Sequence, residues 1–384
     1  MTGNAANQIK YVGYYDTILN VDEARNYVLS AASKMDYICS ALNRAGRDVL
    51  IVSRSSTTKR QFFRGKQFRL VDGVSLKLFS CLPWGNIFQK ALSVIAGDIA
   101  LFLYLALETR RNEPVIAYHS LGLMRSVTWA KRLRGFKLIL EVEEIYQDVH
   151  SVRGGLQRAE YETFLAADAF IFSTELLEEK LNSQKKPSVV VYGTYRFEEC
   201  RTSCFNDGRI HAVYAGTFDP NKGGAAAAAA AQFLDSRYHI HILGFGRESD
   251  TERLQQVISE VAATSECRLT YDGLLKGDEY KRFMQSCDIG LSTQRADSAF
   301  NDTSFPSKVL SYMANGLAVV SVRIRALEES QLAEHITFYD GQDPKSIAEA
   351  IKAVEVGASA DGRLLLNRLD SAFISDVRSL LARL

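Results

Sequence analysis

The feature that most constrains this chain is a repeated pairing: a short, near-continuous apolar run, then a stretch with helical periodicity. KYVGYYD (10–16) reads as a strand, ARNYVLSAASKMDYICSALNRAG (24–46) as a helix ended by Gly46, and DVLIVS (48–53) as the next strand. The same alternation carries PVIAYHS (114–120), the helix LMRSVTWAKRLRG (123–135), the strand KLILEVE (137–143), a helix through RAEYETFLAADAF, then AFIFS (169–173) and VVVYG (189–193). Strands apolar on both faces, each followed by a helix, predict a parallel sheet covered on both sides.

The rhythm breaks at TYRFEECRTSCFNDGR (194–209), which is polar and poorly periodic, so a domain boundary is expected there. It restarts with IHAVYAG (210–216), a helix over GGAAAAAAAAQFLDS, the strand HIHILGFG (239–246), and further pairs through AVVSVR. Alanine is the best helix former, so the run Ala225–Ala231 is expected to be helix, not linker. The fold class that follows is α/β, with two doubly wound Rossmann-like domains, the first over 1–193 and the second from 210. At 384 residues, 47% of them hydrophobic, the chain suffices for two cores.

Net charge is close to zero overall, but residues 1–190 carry 25 basic and 19 acidic side chains, and the remainder 21 and 26. This balance argues against wholesale nucleic-acid binding. Six scattered cysteines lack metal-ligand spacing and the start MTGNAANQIK lacks the apolar core of a signal peptide, which together predict a reduced, cytoplasmic protein. The apolar segment 91–111 carries Asp98 near its middle, a costly charge for a membrane span, and is expected to be a buried helix.

Ligands of doubly wound sheets bind at strand carboxyl ends, where loops enter helices. Three such loops stand out in the second half. AGTFDPNKGG (215–224) places Gly216 at a strand end and Lys222 before two glycines that let backbone approach a ligand. LGFGRES (243–249) offers Gly244 and Gly246. NDTSFPSKVLSYMANGLAVVS (301–321) reads as a polar loop with Ser304 as helix N-cap, and with Ser307 and Lys308 in the first turn. A lysine there opposes the helix dipole unless an anion is bound, so Lys222 and Lys308 together suggest a diphosphate clamp.

VYAGTFDPNKGG, HILGFGRE, YDGLL and FPSKVLSYMANGLAVVS, in this order, resemble the donor-binding domain of glycosyltransferase family 4, retaining GT-B enzymes that use nucleotide-activated sugars. EVEEIYQDV and AFIFSTELLEEKL resemble the end of that family's first domain, and LDSAFISDVRSLLARL its last helix. The resemblance implies two domains facing a cleft: acceptor-binding 1–193, a linker 194–209, donor-binding 210–368, and a helix 369–384 that packs back on the first domain. It gives Lys222 a donor-phosphate contact, with Thr217 at the position of the family's arginine. Gly244 and Gly246 then lie beside the nucleotide, and Gly273 and Leu274 at the base. Counted back from Gly316, the family's Glu-x7-Glu carboxylates fall on Thr303 and Ser311, and its Glu-x-His-Asp stretch reads Glu141-Val142-Glu143-Glu144. Asn301 and Asp302 are candidates for polar contact with the donor sugar.

The implied chemistry has the leaving diphosphate help deprotonate the acceptor, with Lys222, Lys308 and the helix start at Ser304–Ser307 stabilising charge, and with no metal or other cofactor required. Glu143 and Glu144 are candidates for the acceptor hydroxyl, with Glu144 in the catalytic set. Asn20, Asp22, Arg25 and His119, in loops after strands of the first domain, are candidates for a sugar acceptor. RSSTTKRQFFRGKQFR (54–69) interleaves basic and aromatic residues, as suits an anionic membrane surface and a lipid-linked acceptor. The expected activity is sugar transfer to a glycan or lipid-linked glycan in bacterial surface polysaccharide assembly. A non-catalytic GT-B partner subunit and a sugar-nucleotide epimerase are the alternatives.

Overall fold

The computed structural model describes residues 7–149, 154–196, 198–199, 204–297, 301, 304–356 and 360–384. They form two units, Met1–Thr194 with Ser371–Leu384, and Tyr195–Asp370.

In the first unit the strands are β1 (Gln8–Gly13), β2 (Asp48–Ser53), β3 (Lys66–Val71), β4 (Val74–Leu78), β5 (Pro114–Tyr118), β6 (Lys137–Val142), β7 (Ala169–Phe172) and β8 (Ser188–Val190). They lie in the order β3-β4-β2-β1-β5-β6-β7-β8, all parallel except β3 against β4. This edge hairpin was not expected; it turns at Asp72-Gly73, where Gly73 sits at φ +73°. The helices are α1 (Leu29–Arg44), α2 (Ile87–Glu108), α3 (Met124–Arg134), α4 (Tyr146–Val149), α5 (Gly154–Ala166) and α6 (Glu175–Leu181).

The second unit has six parallel strands, β9 (Ile210–Thr217), β10 (Tyr238–Phe245), β11 (Arg268–Gly273), β12 (Ile289–Ser292), β13 (Ala318–Val322) and β14 (Ile336–Tyr339), in the order β11-β10-β9-β12-β13-β14. Its helices are α7 (Gly224–Ala229), α8 (Glu248–Ala262), α9 (Gly277–Ser286), α10 (Lys308–Asn315), α11 (Arg325–Glu328) and α12 (Pro344–Lys352). The alanine run is helical only as far as Ala229 and tightens into a 3₁₀ turn over Ala230–Phe233. Ala227, Ala228, Ala230 and Ala231 are fully buried, so methyl groups are what this layer accommodates. The strand order reverses between β9 and β12, which puts the loops holding Lys222 and Lys308 on either side of the switch point.

The described residues of 195–209 belong to the second unit: the Glu198 N–H donates to the Ala314 carbonyl at 3.1 Å and its carboxylate pairs with Lys281 at 2.7 Å. The last helix, α13 (Ala360–Ala382), changes unit at Ser371; Phe373 is buried in the first unit, its ring 5.7 Å from that of Tyr37.

One expectation fails outright. The apolar segment is α2, and α2 is not buried: Phe88, Leu92, Ile95, Ile99, Leu103 and Leu107 form one exposed stripe at three- and four-residue spacing. Its opposite face buries Leu101 and Leu105 and packs against α3. Asp98, the charge that argued against a span, pairs with Arg54 at 2.7 Å.

Candidate functional site

The site of the second unit is assembled at the carboxyl ends of β9, β10 and β11. Here the strands approach so closely that side chains are excluded. Gly244 is at φ +140°, and a Cβ there would overlap the Gly216 carbonyl oxygen. Gly223, at φ +86°, has no room for a Cβ against the Thr293 carbonyl. The bare backbone borders a pocket of about 220 Å³ lined by Gly216, Thr217, Gly244, Leu274 and Tyr280, among others. Gly273, at φ +76°, turns the chain so that Leu274, half exposed, forms part of that wall. Gly246 packs on Phe218.

Lys308 reaches into the same place. Its ammonium lies 3.7 Å from the centroid of the Tyr214 ring, so close over Gly216 that a Cβ on that glycine would come within 2.7 Å of Nζ. It also faces the Lys222 carbonyl at 3.5 Å. Among the described residues no carboxylate lies within ion-pair distance of it. Burial, and then the charge of Lys222, push its pKa down to about 7. A buried cation held by a ring face and a carbonyl, beside a pocket, is a costly arrangement that an anion would relieve.

Two tyrosines unremarked in the sequence hold this geometry. Tyr214 donates from its hydroxyl to the Thr217 carbonyl at 2.8 Å, fixing the strand end beneath Lys308. Tyr312, fully buried, accepts from the Ala215 N–H at 3.1 Å and donates to the Leu291 carbonyl at 3.0 Å, bridging the two strands at the switch point. The signal for it was Gly290, which leaves room for the Tyr312 ring.

Other assignments in the opening loop change. α10 begins at Lys308, with Ser307 at the cap position and without a side-chain cap bond, so Ser304 is not the N-cap. Asn301 is buried and not aimed at a ligand: its amide donates to the Arg295 and Ala296 carbonyls at 2.7 and 2.8 Å and accepts from Gln294. Asp302 and Thr303 lie outside the described residues. Ser311 shares a hydrogen bond with Tyr280, a wall residue of the pocket. Lys222 ends a 3₁₀ turn capped by Asp219, and Thr217 is exposed.

In the first unit the expected acceptor residues are engaged elsewhere. Arg25 is buried; it pairs with Glu23 at 2.7 Å and donates to the Ser55 and Phe79 carbonyls, pinning the loop after β2. Asn20 is buried against Asp16 and accepts from Lys66. His119 lies under the rings of Tyr146 and Phe164, 3.2 Å from Glu160. Glu143 pairs with Lys34, Glu144 is half-buried beyond the end of β6, and only Asp22 is freely exposed. Glu141, placed by the resemblance at the first position of the Glu-x-His-Asp stretch but given no role, is fully buried at the end of β6 and accepts from the Tyr11 hydroxyl; burial, then the neighbouring Glu143, push its pKa up to about 8. Within the basic stretch 54–69, Arg54 is buried and Lys66 pairs with Glu23, while Lys59, Arg60, Phe62 and Arg64 are exposed.

Residues 209–355 match the protein-family model described as Glycosyl transferases group 1. No curated protein matches the chain. Among solved structures, the chain is similar to the Escherichia coli trehalose-6-phosphate protein bound with UDP-2-fluoro glucose, at TM-score 0.65 and 11% identity over 97% of this chain and 99% of that one. It is also similar to Anabaena Alr3699/HepE in complex with UDP, at TM-score 0.63 and 11% identity over 98% of each, and to a glycosyltransferase from Rickettsia africae at TM-score 0.60 and 12% identity over 98% and 96%. The chain thus shares the two-domain α/β fold of these proteins, and its second unit carries the match to Glycosyl transferases group 1.

Proposed function

We propose that this protein transfers a sugar from a nucleoside diphosphate donor to a glycan or lipid-linked glycan, with retention and without a metal in the transfer step, at the cytoplasmic face of a bacterial membrane during surface polysaccharide assembly. The observation that carries the donor half of this reading is Lys308, a buried ammonium at the switch point with no carboxylate in reach among the described residues. Two neighbours are described with UDP or a UDP-sugar analogue, which favours a uridine donor. The diphosphate would sit over Gly216, with Lys308 and Lys222 as its cations; both stabilise the charge that develops on the leaving group. The base would meet the wall at Gly273 and Leu274.

Membrane contact is supported by α2 more than by 54–69 alone. The exposed apolar stripe of α2 adjoins the exposed Trp129 and Leu133 of α3, and Arg125 and Arg132 lie on the same exposed side of that helix. The Lys59 carbonyl accepts from the Trp84 N–H just before α2, which joins the basic loop to the apolar helix. Apolar side chains flanked by lysine and arginine are what an interfacial helix presents to anionic lipid.

The test is a thermal-shift series with UDP, GDP, ADP and UDP-glucose on the wild type and on Lys308→Ala. A stabilisation by one base family that weakens in the variant supports the diphosphate site; ligand at about 100 times its Kd adds roughly 2.7 kcal/mol. No shift with any nucleotide at millimolar concentration would overturn the reading and favour the non-catalytic subunit, to which Ser311 in place of a carboxylate would then point.

A further inference from the structure

At the amino ends of the strands that carry the donor site, β9 and β10 bring three buried histidines together. The register sets His239 beside His211, and His241 shares the face of His239 two residues on. One ring nitrogen from each of the three lies within 4.8 Å of the other two. The His211–His239 pair sits five strand positions from the Gly216–Gly244 pair, roughly 16 Å along the sheet, and His241 three positions from Gly244, roughly 10 Å.

Proton bookkeeping shows what the cluster lacks. The outer nitrogen of each ring already has an acceptor: His211 Nε2 faces Asp207 at 2.9 Å, His241 Nδ1 faces Asp272 at 3.0 Å, and His239 Nε2 faces Thr270 Oγ1 at 3.0 Å. The Thr270 hydroxyl donates to Asp272 at 2.8 Å, so toward His239 it can only accept. With an acceptor at every outer nitrogen, each neutral ring donates outward and its inner nitrogen is a bare lone pair. Two of these, His211 Nδ1 and His241 Nε2, face each other at 2.9 Å, and the third, His239 Nδ1, is buried without a partner. Such a set requires a cation among the rings.

We infer that His211, His239 and His241 bind a divalent transition-metal ion, Zn2+ by ligand chemistry, in a site that ties β9 to β10 remote from the donor pocket. Imidazole nitrogen is a preferred zinc ligand. Carboxylate or hydroxyl partners on the far nitrogens are the outer contacts that orient metal-binding histidines and raise their basicity. Two Zn–N bonds of about 2.0–2.1 Å at a tetrahedral angle hold their nitrogens about 3.3 Å apart, so His211 and His241 need part by only a few tenths of an ångström, and the His239 nitrogen, within 4.8 Å of both, must come to the same spacing. Phe205 stacks on His211 and His241 with centroids 4.1 and 5.1 Å away and covers the cluster with an apolar ring. Three protein ligands leave a fourth position for water. This metal would brace the sheet and take no part in sugar transfer.

The test uses the full-length, tag-free protein stripped with a chelator. Titration with CoCl2 should develop the visible bands of a tetrahedral nitrogen site, saturating at one equivalent and bleached by ZnCl2, and Zn2+ should raise Tm. Asp272→Asn should weaken Zn2+ binding by 10- to 100-fold through loss of the His241 partner. His239→Gln should weaken it further, and His335→Gln, outside the cluster, should leave it unchanged. Far-UV circular dichroism of each variant separates lost binding from lost fold. If wild type takes up no stoichiometric Co2+ or Zn2+, or if His239→Gln binds as wild type does, the rings share a proton and the inference fails.

Discussion

The strand carboxyl ends of the two units are built from similar residues and are used in opposite ways. In the second unit a lysine is buried with no carboxylate partner among the described residues, and glycines strip the backbone bare around it. The first unit is also rich in charge there, but Arg25 and His119 in its loops, Lys34 of α1 and Lys66 at the start of β3 already have carboxylates: Glu23, Glu160, Glu143 and Glu23. Charge alone does not mark a ligand site. Charge left uncompensated in a tight place does, because its burial is unfavourable until something arrives.

Five substitutions test that contrast. The largest effect is expected at Gly244→Ala, where a Cβ meets the Gly216 carbonyl at φ +140°; it should cost about 3 kcal/mol or more in urea unfolding and abolish nucleotide binding. A stable variant would mean that the strand ends tolerate separation.

Lys308→Met should act the other way and stabilise the nucleotide-free protein by up to a few kcal/mol. Burial lowers the folded pKa of Lys308 to about 7 from its unfolded 10.5, so the penalty is complete below pH 7 and fades as pH rises toward 10.5. The gain from the methionine should fade over that range, as followed by Tm against pH. The paired counterpart, Lys34→Met, should destabilise, since it strands Glu143.

Glu141→Gln should be close to neutral near pH 4 and stabilising by up to a few kcal/mol at pH 7, with little further gain above pH 8. Its folded pKa of about 8 lies above the unfolded value of 4.5, so the wild type loses stability as pH rises between them. Denaturant midpoints at the two pH values decide it.

The smallest effect is expected at Gly13→Ala, at the end of β1, the first unit's central strand as β9 is the second's. There the new methyl meets only the flexible end of Met35, and the loss should stay near 1 kcal/mol.

The strand-end loops of the second unit were legible because their signals are local. Gly216 and Gly244 end apolar strands, Lys222 precedes a glycine pair, and Lys308 stands at a helix start, all visible within short windows. The first unit was not legible for the opposite reason. What Arg25 does depends on Phe79, 54 residues on, and what His119 does depends on Glu160, 41 residues on. The segment 87–108 misled because mean apolarity does not say which face is covered; the stripe at 88, 92, 95, 99, 103 and 107 appears only once α3 takes the other side. The histidines needed the β9–β10 register, which no spacing in the chain announces.

The uncovered stripe of α2 also has a consequence for handling the protein in dilute buffer. Six large apolar side chains along five turns of helix present a continuous sticky ridge to water, larger than the scattered apolar contacts a well-behaved monomer shows. Without lipid or detergent, two such ridges would find each other, and colloidal behaviour, more than unfolding, would set the concentration at which the protein stays in solution.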